Sequence, residues 1–323
     1  MWRKKKVSSD TKEPLTIHAY RGYASPTSIF LKGRILEDRG ILKTQSQSAI
    51  RNFIKNFKRF ETDEVPGVEV QISIEGRDFK LITDREGYFT LDEHWDFMNE
   101  NNASLLDAKI SIAGGISKVA EVFHTTPEAE YGIITDIDDT VLKTNVTSLF
   151  KLKMLYATFF KDAHQRMPME GIVNLFSKFT HGSNPIFYIS HSPWNIYDLL
   201  VDFMEMQELP KGPILLRDYG IKPVGHFSDH KIKSITRILK NHPDLPFIML
   251  GDTAAEDADL YIKLAHDFPD QIKAIYIRQT KNNKNARRIK SLIEEHSGHQ
   301  TDVILSESSE VMMEHALEKG LIT

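Results

Sequence analysis

The stretch Tyr131-Gly132-Ile133-Ile134-Thr135-Asp136-Ile137-Asp138-Asp139-Thr140-Val141-Leu142 decides how this chain is read. An apolar run ends in Asp136, and Asp138 follows two residues later. A parallel strand buried on both faces reads as a continuous apolar run rather than an alternation. Acids placed directly after it lie at the strand's carboxyl end, where open α/β sheets hold their ligands. Two adjacent carboxylates repel unless something positive holds them, and a hard divalent cation suits oxygen donors. Taken alone, the pair also reads as a polar exit into a loop, because Asp is common in turns.

The chain has 323 residues, 41% hydrophobic and 27% charged, values of a water-soluble fold long enough for two domains. It contains no cysteine, so disulfides, thiolate metal sites and a cysteine nucleophile are excluded. No apolar run reaches the roughly 18 residues of a spanning helix. Arg3, Lys4, Lys5 and Lys6 are not followed by the apolar stretch of a signal peptide, so a cytoplasmic protein is expected. The net charge of −4 conceals an asymmetry: residues 1–60 hold 14 Lys or Arg against 4 Asp or Glu, the remainder 27 against 41. A basic end on an acidic chain is attracted to an anionic surface, or is a solvated tail.

Residues 1–13 read as a basic N-terminal tail. From 14 to 124, short alternating runs punctuated by Gly22, Pro26, Gly33 and Gly40 predict a small antiparallel β-sandwich. Within it Ile50, Phe53, Ile54, Phe57 and Phe60 recur at helical spacing between Arg51, Lys55, Lys58 and Arg59. This inserted basic amphipathic helix either packs on its own domain or lies on an anionic membrane. A boundary falls near Thr125–Ala129. From 125 to 323 the grammar changes: apolar runs at 131–136, 185–190, 213–217, 246–251, 272–277 and 302–305 alternate with helical stretches. That alternation predicts a Rossmann-like, doubly wound parallel sheet. Ser192-Pro193 reads as a helix start, and Ser228 and Ser308 as caps of later helices.

Three of these runs end alike, in Asp136, Ser190 and Asp252, with Asp257 five residues beyond the last. In a parallel sheet they open on one edge. Acids for attack, proton transfer and metal binding, with a hydroxyl for the phosphate, suit phosphoryl transfer, which depends on neutralising charge on the phosphoryl oxygens. A cation is also required. Lys231 shares a helix side with apolar Ile235 and Ile238, so it either meets an anion or snorkels to solvent. Arg217 and Arg278 end apolar strands and face either the substrate's anion or a neighbouring acid.

Together, Asp136-x-Asp138-x-Thr140, Ser190, Lys231 and Gly251-Asp252…Asp257 resemble, in order, the four motifs of the haloacid dehalogenase superfamily. Tyr188–Asn195, His230-Lys231, Gly251–Tyr261 and Ala274–Arg278 narrow the resemblance to the actin-patch-protein-type phosphatidate phosphatases. The likeness extends to residues 18–37, 83–89 and 316–322. It departs at His191, where the family usually has Asn or Ser, and after Asp252, where Gly-Asp-Ser-Gly is more usual. Both departures bear on substrate preference.

The resemblance implies that Asp136 attacks phosphorus and forms an aspartyl-phosphate. Asp138 would protonate the leaving alcohol and then activate water. Mg²⁺ would be held by Asp136, the Asp138 carbonyl and Asp252, with Asp257 close by. Ser190 would bond a phosphate oxygen, Lys231 would neutralise the nucleophile and the phosphate, and Thr140, His191, Arg217 and Arg278 would meet the substrate. A phosphorylated substrate, a lipid phosphate above all, is implied, and no nucleic acid is expected. About 45 residues separate Leu142 from Phe187, too few for a large cap domain. They include an apolar stretch over 149–160 with Lys151, Lys153 and Lys161, which is either an ordinary core helix or a membrane contact. The expected activity is therefore Mg²⁺-dependent hydrolysis of phosphatidate to diacylglycerol by a cytoplasmic protein peripheral to membrane. The same chemistry on a soluble phosphomonoester or phosphoprotein, and a non-catalytic lipid- or protein-binding module, are the alternatives.

Overall fold

A computed structural model describes residues 14–38, 64–95, 103–137, 171–218, 228–253, 257–279, 286–296 and 298–322. The basic tail, the basic helix expected over 46–60, the stretch 149–160, Asp138 and Thr140 lie outside the described residues. No described helix is long and apolar enough to cross a membrane.

Eight strands form the first sheet: β1 (Leu15–Ala19), β2 (Gly22–Ala24), β3 (Ser28–Glu37), β4 (Glu69–Ile74), β5 (Arg77–Ile82), β6 (Tyr88–His94), β7 (Leu105–Ile112) and β8 (Ile116–His124). They run in the order β1-β3-β2-β8-β7-β4-β5, with β6 on β3. Strict alternation in β4 buries Val70, Ile72 and Ile74 on one face, as the sequence pattern predicts. Two features differ from the expected antiparallel sandwich. The strands share one hydrogen-bonded sheet, and β2 pairs with β8 in parallel. Gly33, read from sequence as a break, sits inside β3. It is needed there as a close-approach residue: a Cβ on it would lie 2.2 Å from Phe89 Cζ and 2.7 Å from the His18 carbonyl.

The second sheet is parallel throughout. Its strands are β9 (Gly132–Asp136), β10 (Ile186–Pro193), β11 (Ile214–Arg217), β12 (Phe247–Asp252), β13 (Ile272–Arg278) and β14 (Asp302–Ser306). All six expected runs are strands, in the order β11-β10-β9-β12-β13-β14. The order reverses between β9 and β12, and the loops leaving two neighbouring strands diverge there to open a crevice. Every residue of β9 and of β12 is buried, which is why both read as unbroken apolar runs. The described helices are α1 (Ile172–Phe179), α2 (Tyr197–Met206), α3 (Ser228–Asn241), α4 (Asp257–Asp267), α5 (Ala286–His296) and α6 (Ser309–Glu318). Ser308 caps α6, accepting from the Val311 N–H at 3.5 Å. The helix start expected at Ser192-Pro193 is corrected. There β10 runs on to Pro193, which is extended (φ −76, ψ 154), and a 3₁₀ turn over Trp194–Ile196 leads into α2. Pro193 pairs with Arg217 after a register shift, so the edge pairing holds this segment extended.

Contacts divide the chain into two compact units that interleave in sequence. The described parts of 1–19, 32–91 and 108–119 form one; those of 20–31, 92–107 and 120–323 form the other. In the first, Asp84 Oδ1 accepts from the Glu86 and Tyr88 N–H groups, each at 2.9 Å, and closes the turn expected there. In the second, Tyr23 meets Phe187 edge-on at 5.4 Å, and Tyr20 stacks on Trp194 at 4.5 Å. The Arg21 N–H donates to the Tyr197 hydroxyl at 2.7 Å. Tyr20–Leu31 therefore packs with the parallel sheet.

His242 lies in that second core, among Phe187, Phe247 and Tyr23. Its Nδ1 is 2.8 Å from the Ile238 carbonyl, which can only accept, so Nδ1 carries the proton and Nε2 accepts from the Thr125 hydroxyl at 3.0 Å. Burial lowers its pKa from 6.5 to about 4. A folded value below the unfolded one contributes stability that is complete above pH 6.5 and is lost as pH falls towards 4. At about 1.4 kcal/mol per pH unit the loss is roughly 3 kcal/mol. Urea unfolding midpoints should fall across that window for the wild type and fall less steeply for His242→Gln; equal slopes would refute the assignment.

Candidate active site

Register places the strand ends at one level. Ile189 lies opposite Asp136 across β10 and β9, and Leu250 lies opposite Thr135 across β12 and β9. Ser190 and Asp252 thus flank Asp136 on the same carboxyl edge. All three are buried, with at most 1% of their surface exposed.

The cation comes from α3. Lys231, itself 1% exposed, places Nζ 2.7 Å from Asp136 Oδ1 and donates to Asp257 Oδ1 at 2.6 Å. Of the two alternatives left by its sequence pattern, it meets carboxylates rather than solvent. Burial opposes its charge, but Asp136 and Asp257 outweigh that and hold the ammonium well above its usual pKa. Burial also pushes the Asp257 carboxyl up to about 6, against the pull of Lys231. The pair is therefore ionised at neutral pH. Asp257 Oδ2 also faces the Asp252 N–H at 3.4 Å, so this acid spans from the lysine to the end of β12. The sequence placed Asp257 near a metal; the structure shows it bound to Lys231.

Gly251 makes this arrangement possible. A Cβ there would lie 2.7 Å from Asp257 Cβ, 2.8 Å from Asp257 Oδ2 and 2.8 Å from Tyr261 Cε2. Tyr261 is fixed in turn, its hydroxyl donating to the Leu250 carbonyl at 3.2 Å. Gly251→Ala must push Asp257 off Lys231, at a cost of about 1–3 kcal/mol. The expected result is a melting temperature lowered by several degrees; an unchanged value would show that the crowding is harmless.

Beside Ser190 the surroundings are cationic. The Ser190 Oγ accepts from the Ser192 N–H at 2.9 Å. His191 has its pKa lowered to about 3 by burial and then by Lys231, His230 and Arg217. His191 is thus neutral, and the positive charge belongs to the lysine and arginine. His230, adjacent to Lys231 on α3, lies near enough to His191 to help hold its pKa down. Arg278 stands opposite Asp252 in the β12–β13 register, and its carbonyl accepts from the Thr253 N–H at 2.9 Å. It feels both Asp252 and Glu310. A small cavity beside Gly251 is lined by Arg278, Tyr276, Ser308 and Ser309. The structure therefore gathers Asp136, Asp252, Asp257 and Lys231 at one edge, with Ser190, His191 and Arg217 on one side and Arg278 on the other.

As a donor set, three buried carboxylates with one ammonium between them are oxygen-rich and carry surplus negative charge. That chemistry fits a hard cation. Among the described residues these acids do not bring three ligand atoms within 4.8 Å of one another. Mg²⁺ characteristically takes one or two carboxylates and keeps water for its other positions, so the set still fits.

Residues 131–279 match the family model described as phosphatidate phosphatase APP1, catalytic domain. The matched APP1 segment starts just before β9 and ends just after β13, so it contains every described residue of the cluster. Phosphatidate phosphatase APP1 of Saccharomyces cerevisiae is 32% identical over 243 residues, 69% of this chain and 40% of its own length. An uncharacterised protein of Schizosaccharomyces pombe is 26% identical over 213 residues, 62% of this chain and 34% of its own. This chain thus spans well under half the length of either relative. A solved structure, DsGPDH of Dunaliella salina, aligns with 58% of this chain and 36% of its own at 16% identity, with a TM-score of 0.36. A likeness that low leaves the strand order to describe the fold.

Proposed function

We propose that this chain is a Mg²⁺-dependent phosphatase that hydrolyses a phosphomonoester through an aspartyl-phosphate on Asp136, and that the substrate is phosphatidate, converted to diacylglycerol. The observation that carries this reading is the buried Asp136–Lys231–Asp257 chain inside the segment that matches the APP1 catalytic domain. A haloacid dehalogenase-like, Rossmann-like fold is part of the proposal. The strand order, with its reversal beside Asp136, supports it.

In this mechanism an Asp136 carboxylate oxygen attacks phosphorus while the bond from phosphorus to the alcohol oxygen breaks. Asp138 gives its proton to that oxygen. Asp138 then takes a proton from water, whose oxygen attacks phosphorus; the bond to Asp136 breaks and phosphate leaves. Lys231 neutralises the nucleophile beforehand and the phosphoryl oxygens during transfer. Ser190 donates to a phosphate oxygen, and Thr140, His191, Arg217 and Arg278 contact the substrate. Asp136, the Asp138 carbonyl and Asp252 would hold Mg²⁺, with Asp257 orienting from behind through Lys231 and the Asp252 N–H. When bound, Mg²⁺ supplies charge neutralisation on the phosphate and keeps Asp136 ionised. The basic surplus of residues 1–60 supports peripheral contact with an anionic membrane from the cytoplasmic side.

The test is phosphate release from phosphatidate in mixed micelles, with a soluble aromatic phosphate alongside. Chelation should remove activity on both and Mg²⁺ should restore it. Cleavage of the aromatic phosphate alone would overturn the lipid substrate while leaving the chemistry standing. No release from either in Mg²⁺ would leave a binding module.

A further inference from the structure

At the opposite end of α4 from Asp257, three histidines converge. His266 lies in the last turn of α4, His296 is the last residue of α5, and His299 follows in the next turn. There the His299 N–H donates to the His296 carbonyl at 3.3 Å, and Gly298 takes the left-handed conformation (φ 92) that returns the chain. One ring nitrogen from each histidine lies within 4.8 Å of the other two. His296 is buried, whereas His266 and His299 are exposed. This is the one group of three or more ligand-type side chains so gathered among the described residues.

We propose that His266, His296 and His299 form a surface site for a divalent transition metal, with zinc the best fit. The decisive spacing is between His296 Nδ1 and His266 Nε2, at 3.4 Å. Two imidazoles joined by a good hydrogen bond sit closer, at about 2.9–3.0 Å. Two imidazoles sharing a tetrahedral zinc, each at about 2.0–2.1 Å, have nitrogens about 3.3–3.4 Å apart. The two rings here are joined by a long hydrogen bond, and its 3.4 Å span already matches the spacing of two ligands around a common ion. Buried His296 fixes one ligand; the exposed His299 ring stacks on it at 4.6 Å and would turn to supply the third when the ion binds. Their exposure leaves the fourth position to water.

Imidazole donors select zinc, copper or nickel over magnesium, so this site differs in chemistry from the acids around Asp136. It also lies apart from them. Asp257 and His266 are nine residues apart on one helix, which is about 14 Å along its axis. A metal here would clamp the end of α4 to the end of α5, whether or not the chain is a phosphatase.

The test uses the full chain without a polyhistidine tag, stripped with chelator and dialysed into excess Mg²⁺ to fill oxygen-donor sites. Zinc titration calorimetry should show a binding event that weakens at least tenfold in His266→Gln and in His299→Gln. Both side chains are exposed, so both variants should fold. Zinc should raise the melting temperature of the wild type more than that of either variant. Cobalt(II) should give the wild type the intense visible bands of a tetrahedral ion, absent from the variants. Zinc isotherms that coincide for wild type and both variants would overturn the proposal, as would the absence of zinc binding by the wild type.

Discussion

Asp136→Asn should abolish phosphate release while leaving the protein folded. An amide is not a nucleophile, so a direct role at phosphorus predicts a fall in kcat of roughly 10³-fold or more. The fold should tolerate the change because Lys231 keeps Asp257 as a partner at 2.6 Å. The variant removes one of two buried acids flanking a single lysine, and its melting temperature should stay within a few degrees of the wild type. Asp139→Asn is the matched control: Asp139 fills the second variable position of the Asp136-x-Asp138-x-Thr140 frame, outside the pair of acids with assigned roles, and should be far milder. Rates within tenfold of wild type for Asp136→Asn would sink the nucleophile assignment, and equal losses at positions 136, 138 and 139 would show the frame misread.

The second large effect is expected at Lys231. Lys231→Met leaves Asp136 and Asp257 buried without their common cation. Breaking a buried pair on one side costs about 3–5 kcal/mol. For a chain of this size that lowers the melting temperature by roughly 10 °C. Activity should fall about 10²-fold or more, because the charge that the phosphoryl oxygens would meet is gone. A double variant separates the two roles. Lys231→Met with Asp257→Asn removes a stranded acid and should recover much of the lost stability, yet no activity. Recovery of both together would make Lys231 a structural residue only.

The sequence carried the parallel sheet well because its strands are buried on both faces. β9 and β12 read as apolar runs that stop at Asp136 and Asp252, and periodicity needed no help from partners. Lys231 was legible for a related reason: a charged residue on the apolar side of α3 has few alternatives to an anionic partner. Its meeting with Asp136 was implied by the resemblance and is found at 2.7 Å; that Asp257 shares the lysine was not legible, since it depends on how α3 and α4 sit over the sheet edge. Local rules misread Gly33 and Ser192-Pro193. A glycine inside β3 and a proline extending β10 are both decided by neighbours distant in sequence, Phe89 over the one and Arg217 beside the other. The histidine trio left only a faint trace, two histidines three apart, because His266 comes from another helix.

The packing of Tyr20–Leu31 on the parallel sheet has a consequence for how the chain is made. Arg21 and its hydrogen-bonded partner Tyr197 are 176 residues apart. At a synthesis rate of about 5–20 residues per second, the earlier segment waits roughly 10–30 s for its partner to be translated. In that interval Tyr23 and Phe30 lack the parallel sheet on which they pack. Closing so long a loop before the contact rewards it makes this a high-contact-order step. The core around Phe187 and Phe247 is thus completed late, after the second sheet has been made.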